Sequence, residues 1–287
     1  MTERITGATK LIGLLGTPIA HSLSPKMHNE AFAKLGLDYV YLAFDVGNQQ
    51  LPGVIEGFRQ LNIRGFNVTM PNKTIVCNYL DQLSPAAELA GAVNTVVNDN
   101  GILTGHITDG TGYMRALKEA DIHIIGKKMT IAGAGGAGTA ICIQAALDGV
   151  KEISIFNQKD DYFFRAQETV KKIRDKTHCN VKLFDINDHD RLHEEIAESS
   201  IFTNSTSIGM KPYEGQSIIP DARMLHAGLV VSDVVYIPKK SRLLEMAEEQ
   251  GCRTINGLGM MLWQGARAFE IWTGQEMPVD YIKERLF

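Results

Sequence analysis

The chain has 287 residues, 44% of them hydrophobic and 22% charged, with a formal net charge of −4. At roughly 150 residues per domain this length suggests two domains, each able to bury a core. The net negative balance excludes the broad basic surface that grips nucleic acid, and the mixed charges of "KKIRDK" (171–176) read as a solvated helix face.

The first hundred residues alternate between strand and helix patterns. "LIGLLG" (11–16) is a short apolar run ending at a Gly-Thr-Pro turn, read as a buried strand. A helix follows, with Ser24 as N-cap, Pro25 at its first position, Met27, Ala31 and Leu35 on the apolar face and Gly36 as terminator. "YVYLAFDV" reads as a strand, "LPGVIEGFRQLN" as a helix and "GFNVTM" as a third strand, with a helix from about Asn72. "AVNTVVNDNGILTGH" places an "NDNG" turn between two β-rich runs, a hairpin signal. In "GHITDG" (105–110) Asp109 fits the N-cap of the helix "YMRALKEA", or a carboxylate held for chemistry.

Beyond Asp109, "KKMTIAGAGGAGTAICIQAALDGVKEISIFNQKD" runs strand, glycine turn, helix, strand. A helix near 161–176, a strand at "VKLFDI", a helix near 188–198 and strands at "SIFTNS" and "GLVVSDVVYIP" continue the alternation. "KSRLLEMAEEQG" is an amphipathic helix closed by Gly251, and "GLGMMLWQGARAFEIWTG" is a long helix too apolar to be a free tail. This pattern predicts an α/β protein. An N-terminal α/β substrate domain, residues 1–108 completed by C-terminal helices 257–287, accompanies a Rossmann-type dinucleotide-binding domain, 109–256, with a ligand cleft between them.

Cys77, Cys142, Cys179 and Cys252 are widely spaced, with no C-x-x-C and no histidine at ligand spacing. Neither a disulfide framework nor a metal site is expected. The N-terminal "MTERITGATK" lacks a signal-peptide core, and no apolar run reaches the roughly 18–20 residues that span a bilayer. The expected location is the cytoplasm, with no membrane or nucleic-acid partner.

"GAGGAG" (133–138) follows an apolar strand and opens a helix, the context that raises G-x-G-x-x-G above background. Gly133 allows the tight turn, Gly135 lets a pyrophosphate approach the backbone, and Gly138 lets helix and strand pack closely. The helix N-terminus, with Gly136 and Ala137, offers N–H groups and a positive dipole end to phosphates. The next strand ends in Asn157, Gln158, Lys159 and Asp160, with no arginine. Asp160 opposes a 2′-phosphate and suits NAD, whereas Lys159 either attracts that phosphate or is a solvated surface lysine. The balance favours NAD with NADP tolerated.

The motifs "HSLSP", "NVTMPNK", "AVNT", "TDGTG", "GAGGAG", "VVYIP" and "NGLGMMLWQGA" span nearly the whole chain. In this order they resemble the shikimate dehydrogenase family, and "PNK", "FNQKDD" and "LWQGA" look closest to its quinate/shikimate dehydrogenase branch. The resemblance implies that Ser22 and Ser24, with Tyr41 and Thr69, bind a substrate carboxylate. It also implies that Lys73, Asn94, Asp109 and Gln264 surround the ring hydroxyls and that Lys73 and Asp109 are the catalytic pair. The same resemblance assigns Ala134, Thr206, Ser207, Val234, Tyr236 and Gly257 to the cofactor, the last two on its nicotinamide side, and implies a small-molecule substrate; a homodimer is one possibility that the sequence leaves open. The family pattern G-x-N-T-D carries asparagine where this chain has Ile107.

The chemistry is coherent without the name. Oxidising a ring alcohol removes a proton from oxygen as hydride leaves carbon for a nicotinamide. The proton needs an acid/base group within hydrogen-bond reach, and a lysine such as the Lys73 that the resemblance implies suits this if desolvation lowers its pKa. Asp109 orients that lysine, shares its proton, or both. Taken singly, each residue has a plainer reading: Lys73 as a surface lysine, Ser24 as a cap, Asn94 as a turn bridge. Two alternatives differ in class or substrate: a non-catalytic NAD(P)-dependent sensor of a ring hydroxy acid, and a dehydrogenase of an amino-substituted analogue.

Overall fold

The computed structural model describes residues 5–286. Strand β1 (Lys10–Gly16) leads into helix α1 (Ser24–Leu35), strand β2 (Tyr39–Asp45), helix α2 (Leu51–Gln60) and strand β3 (Gly65–Val68). The segment after β3 is not the expected α-helix from Asn72. It is a run of turns and a single 3-10 turn, Ile75–Tyr79, because the β-branched Thr74, Ile75 and Val76 disfavour an early α-helical nucleus.

Short strand β4 (Gln82–Leu83) and helix α3 (Pro85–Ala90) come next, neither anticipated from the pattern. Strands β5 (Thr95–Asp99) and β6 (Ile102–His106) form the expected hairpin. Its two central residues, Asn100 (φ 56°) and Gly101 (φ 92°), both adopt the positive φ that an Asn-Gly hairpin turn requires. The sheet order is β2-β1-β3-β5-β6-β4. β1, β2 and β3 run parallel, while β5 opposes both of its neighbours.

Helix α4 (Asp109–Glu119) is followed by β7 (Lys128–Ala132), α5 (Gly136–Leu147), β8 (Glu152–Asn157), α6 (Asp161–Lys176), β9 (Asn180–Asp185), α7 (His189–Ala197) and β10 (Ile201–Asn204). Strand β11 (Val230–Asp233) stops short of the predicted end: Val234–Pro238 is loop, closed by a cis Ile237–Pro238 bond. Helix α8 (Arg242–Glu249), strand β12 (Arg253–Ile255), helix α9 (Leu258–Thr273) and helix α10 (Val279–Leu286) complete the chain. β12 and α10 are too short to carry a periodic signal. The second sheet, β12-β11-β10-β7-β8-β9, is wholly parallel, the doubly wound order with β7 at its centre.

Chain contacts divide the protein into two compact units. Residues through Thr108 group with those from Leu262 onward, and Asp109–Met261 form the second. The C-terminal break falls inside α9 rather than before it, since the helix is continuous across it. In the first unit Trp272 of α9 is 1% exposed and donates its indole N–H to the Val96 carbonyl at 2.9 Å. A Cβ on Gly65 would lie 2.5 Å from that indole nitrogen, so glycine is what admits the ring. Around it Ile12, Phe32, Tyr41, Leu262 and Phe269 form one core. The second unit's core joins Phe156, Phe202, Val231, Leu243 and Leu244. Among the described residues no helix is long and apolar enough to cross a membrane, and no group of three or more His, Cys, Asp or Glu side chains is placed to hold a metal.

Candidate active site

In the first unit the chain leaves β1 for β2 on one side and then crosses to β3 on the other. The loops after β1 and β3 therefore emerge together at the carboxyl ends of adjacent strands, where open α/β sheets bind ligands. Their junction is tight: a Cβ on Gly16 would sit 2.2 Å from Thr69 Cγ2 and 3.0 Å from the Met70 carbonyl. Backbone bonds from Thr69 to Leu15 (2.9 Å) and from Thr17 to Met70 (3.0 Å) seal it.

The first loop carries the two serines, and their structural roles are the reverse of those expected. Ser24 is already inside the first turn of α1 and caps nothing; Leu23 holds the cap position. It is Ser22 whose Oγ accepts the Ser24 N–H, at 3.2 Å. The hydroxyl nearest the helix start is one residue too late in the chain to cap it.

Tyr41 is fully enclosed, contrary to its expected place against a substrate carboxylate. Its phenol donates to Asn67 Oδ1 at 2.7 Å. Burial pushes that phenol far above its ordinary pKa, with a hydrogen bond from Ser24 pulling the other way. Tyr41 thus supports Ser24 from within the core. Asn67, which the sequence reading missed, passes the contact on: its Nδ2 donates to the Asn94 carbonyl (2.9 Å) and to Thr95 Oγ1 (3.0 Å).

Lys73 is half-buried in the second loop. Buried Asn72 anchors that loop by donating to the Val46 carbonyl at 2.7 Å, and the Lys73 carbonyl accepts the Val93 N–H at 2.8 Å. Lys73 and Asn94 are therefore held on neighbouring backbone segments. Asn94 grips Thr108 twice, donating to its Oγ1 at 3.0 Å and accepting its backbone N–H at 2.9 Å. This clamp orders the segment in which Ile107, 6% exposed, has replaced the family's asparagine. Asp109, 8% exposed, is the first residue of α4 and not its cap, because Thr108 precedes it outside the helix. Gln264 lies half-buried on α9. The next residue, Gly265, lets Met27 of α1 approach to 2.2 Å of where a Cβ would stand, which seats Gln264's helix one turn beyond Ser24.

In the second unit the order reverses between β7 and β10, and the glycine turn stands there. Gly133 has φ 102°, and a Cβ on Gly138 would meet the Gly133 carbonyl at 2.1 Å. Gly135 and Gly136 have open space where a Cβ would be, and Gly135 begins α5 without any side-chain cap. An exposed helix start with room against its backbone fits a pyrophosphate. Asn157 Oδ1 accepts the Ala134 N–H at 2.9 Å, which couples the turn to the end of β8.

Asp160 also departs from a free ribose ligand: one carboxylate oxygen caps α6, accepting from the N–H groups of Tyr162 (3.0 Å) and Phe163 (3.1 Å) and from Asn157 Nδ2 (3.0 Å). Gln158 is exposed beside it, and Lys159 pairs with Asp185 at 3.5 Å. Ser205, absent from the sequence reading, donates to the Ala132 carbonyl at 2.8 Å and lies where a Cβ on Gly133 or Gly138 would go. Thr206 is bound to Asn204 Oδ1 at 2.7 Å, and Ser207 is exposed next to it. Val234 and Gly257 are packed backbone to backbone, at 1.9 Å from a notional Gly257 Cβ, and Tyr236 is half-buried on the same loop.

Residues 14–96 match the family model of the shikimate dehydrogenase substrate binding domain, and residues 257–287 match that of the shikimate 5'-dehydrogenase C-terminal domain. A shikimate dehydrogenase (NADP(+)) of Listeria monocytogenes is 73% identical over 287 residues, covering 100% of this chain and 99% of the relative. A quinate/shikimate dehydrogenase of Escherichia coli is 48% identical over 280 residues, 98% of this chain and 97% of the relative. The crystal structure of shikimate 5-dehydrogenase from L. monocytogenes in complex with shikimate and NAD superposes with a TM-score of 0.98 at 73% identity, covering 100% and 99% of the two chains.

Proposed function

This chain belongs to the shikimate dehydrogenase family, and from that premise we propose that it oxidises a ring hydroxyl of shikimate, and of quinate, with NAD preferred over NADP. The observation that carries the reading is the sealed loop pair after β1 and β3, which holds Ser22, Ser24, Thr69 and Lys73 at one set of strand ends. Hydroxyls of Ser22, Ser24 and Thr69 donate to the substrate carboxylate. Asn94 and Gln264 bond the ring hydroxyls and fix which carbon faces the cofactor.

Lys73 takes the proton that leaves the reacting hydroxyl oxygen, and the Asp109 carboxylate orients the lysine and balances its charge. Gly133–Ala137 hold the pyrophosphate, Asn157–Asp160 the adenosine ribose, and Thr206, Ser207, Val234, Tyr236 and Gly257 the nicotinamide half. When bound, the dinucleotide supplies the hydride acceptor.

The absence of arginine between Asn157 and Asp160, and the pairing of Lys159 with Asp185, support NAD. The NAD found in the L. monocytogenes structure agrees, whereas the curated L. monocytogenes relative is named for NADP(+). The E. coli relative's name supports quinate as a second substrate. The reading extends to a cytoplasmic enzyme; among the described residues no helix is long and apolar enough to cross a membrane.

A two-by-two assay of shikimate or quinate with NAD⁺ or NADP⁺, read by reduced-nicotinamide absorbance, tests substrate and cofactor together. NAD⁺ should give the higher kcat/KM, and turnover with NADP⁺ alone would refute the preference. Lys73→Ala should lower kcat by roughly 10²–10⁴ with either acid. Turnover near that of the unaltered enzyme would remove Lys73 from proton transfer.

A further inference from the structure

Asp233 ends β11 and is 1% exposed. Three donors converge on its carboxylate from three separate segments. Asn204 Nδ2 bonds Oδ1 at 3.0 Å, the Val235 N–H bonds the same oxygen at 3.0 Å, and the Ser241 hydroxyl bonds Oδ2 at 2.5 Å.

Each donor belongs to an element that the proposed reaction uses or adjoins. Asn204 also donates to the Ile208 carbonyl at 2.9 Å and accepts from the Thr206 N–H (3.1 Å) and hydroxyl (2.7 Å). Its amide has no freedom to flip, since Asp233 and the Ile208 carbonyl can only accept. Val235 stands between Val234 and Tyr236, and its carbonyl receives the Gly257 N–H at 3.1 Å. Ser241 caps α8. Gly209, at φ 104°, brings the long loop after β10 to within 3.2 Å of the Ser241 Cβ, measured from a notional Cβ.

We propose that Asp233 is a positioning residue for cofactor binding: one buried carboxylate sets the loop after β10, which carries Thr206 and Ser207, against the loop after β11, which carries Val234 and Tyr236. The inference rests on the dinucleotide reading above. Asp233 touches no substrate and acts through the two loops. A carboxylate suits the task because it accepts from all three donors at once. Burial raises its pKa to about 6 and the three hydrogen bonds oppose that rise, so the site retains the acidic group despite a desolvation cost.

The test uses Asp233→Asn and Ser241→Ala in the full-length enzyme. The amide of Asp233→Asn must turn an N–H towards one of three donors, of which only Ser241 can reverse its hydroxyl. NADH affinity is measured by fluorescence titration without turnover, and KM for NAD⁺, KM for shikimate and kcat are measured at temperatures well below Tm. Asp233→Asn, in which a reversed Ser241 hydroxyl accepts the amide N–H while the amide oxygen keeps the Asn204 and Val235 bonds, should weaken NADH binding and raise KM for NAD⁺ by about threefold through the lost charge-assisted bonds, with KM for shikimate within about twofold. Ser241→Ala, which keeps the charge, should shift the same two constants by about threefold. A lowered Tm with unchanged NADH affinity would reduce Asp233 to a structural role and overturn the proposal. Should Asp233→Asn fail to fold, unchanged NADH affinity in folded Ser241→Ala overturns it equally. Failure of the unaltered protein to bind NADH would instead sink the dinucleotide reading itself.

Discussion

His28 offers a quantitative test of how the first unit is built. It is fully buried on α1, with its ring 4.6 Å from that of Tyr41 at a 13° interplanar angle and 5.3 Å from that of Trp272. Among the described residues neither ring nitrogen has a hydrogen-bond partner. Burial lowers its pKa to about 3 from the ordinary 6.5. The imidazole is therefore neutral when folded, whereas the unfolded chain takes up a proton once pH falls below 6.5. The unfolded state binds more protons through that window, so stability rises with pH between about 3 and 6.5 and is lost on acidification. From pH 7.5 to pH 5 the loss is about 2 kcal/mol, from about 1.4 kcal/mol per pH unit over roughly one and a half effective units.

The comparison is between the unaltered protein and His28→Phe, each unfolded by urea at both pH values. The aromatic stack accepts a phenyl ring, and the variant removes both orphan nitrogens. It should lose about 2 kcal/mol less than the unaltered protein on acidification, because the other titrating groups cancel in the difference. Asp233 is the group most in need of that cancellation: its raised pKa of about 6 makes it contribute in the opposite sense, favouring the folded state as pH falls towards its ordinary 3.8. Equal losses in the two proteins would show that His28 is hydrated or hydrogen-bonded in solution.

The two open glycines and the closed one of the dinucleotide turn should separate binding from folding. Gly135→Ala meets no atom within 4 Å and should leave Tm unchanged while raising KM for NAD⁺; Gly138→Ala, at 2.1 Å from the Gly133 carbonyl, should lower Tm. Asp160→Ser keeps a capping oxygen for α6 but removes the charge, so the NADP⁺/NAD⁺ ratio of kcat/KM should rise by about tenfold with little change in urea midpoint. Asp109→Asn should cut kcat with shikimate by at least about tenfold at unchanged Tm. A lower Tm with intact kcat would make that residue structural. Gly16→Ala should raise KM for shikimate, since the new methyl would displace Thr69.

Some features were legible because they are local. The Asn100-Gly101 turn needs two residues tolerant of positive φ, and the chain has them between two β-rich runs. The glycine turn was legible for a similar reason: a strand, three spaced glycines and a helix lie within one short stretch. Helix α6 also matched its predicted span, capped by an aspartate and carrying period-matched apolar residues Ala166, Val170 and Ile173. Ser24 and Asp109 were misplaced by a single residue each, which is the ordinary uncertainty of a helix start. That residue decided that Ser22, and not Ser24, accepts a backbone N–H at the start of α1.

The sequence by itself determined the alternation of most strands and helices and the glycine turn between a strand and a helix. These follow from period and backbone tolerance, both of which are set within a few neighbouring residues. Only the tertiary structure decided which residues support which. Tyr41 lies inside the core, joined to Asn94 through Asn67, and Asp233 collects donors from residues 204, 235 and 241. The reason is physical: a buried polar group must find its partners wherever the packed sheet places them, and strand order rather than chain distance brings those partners within reach.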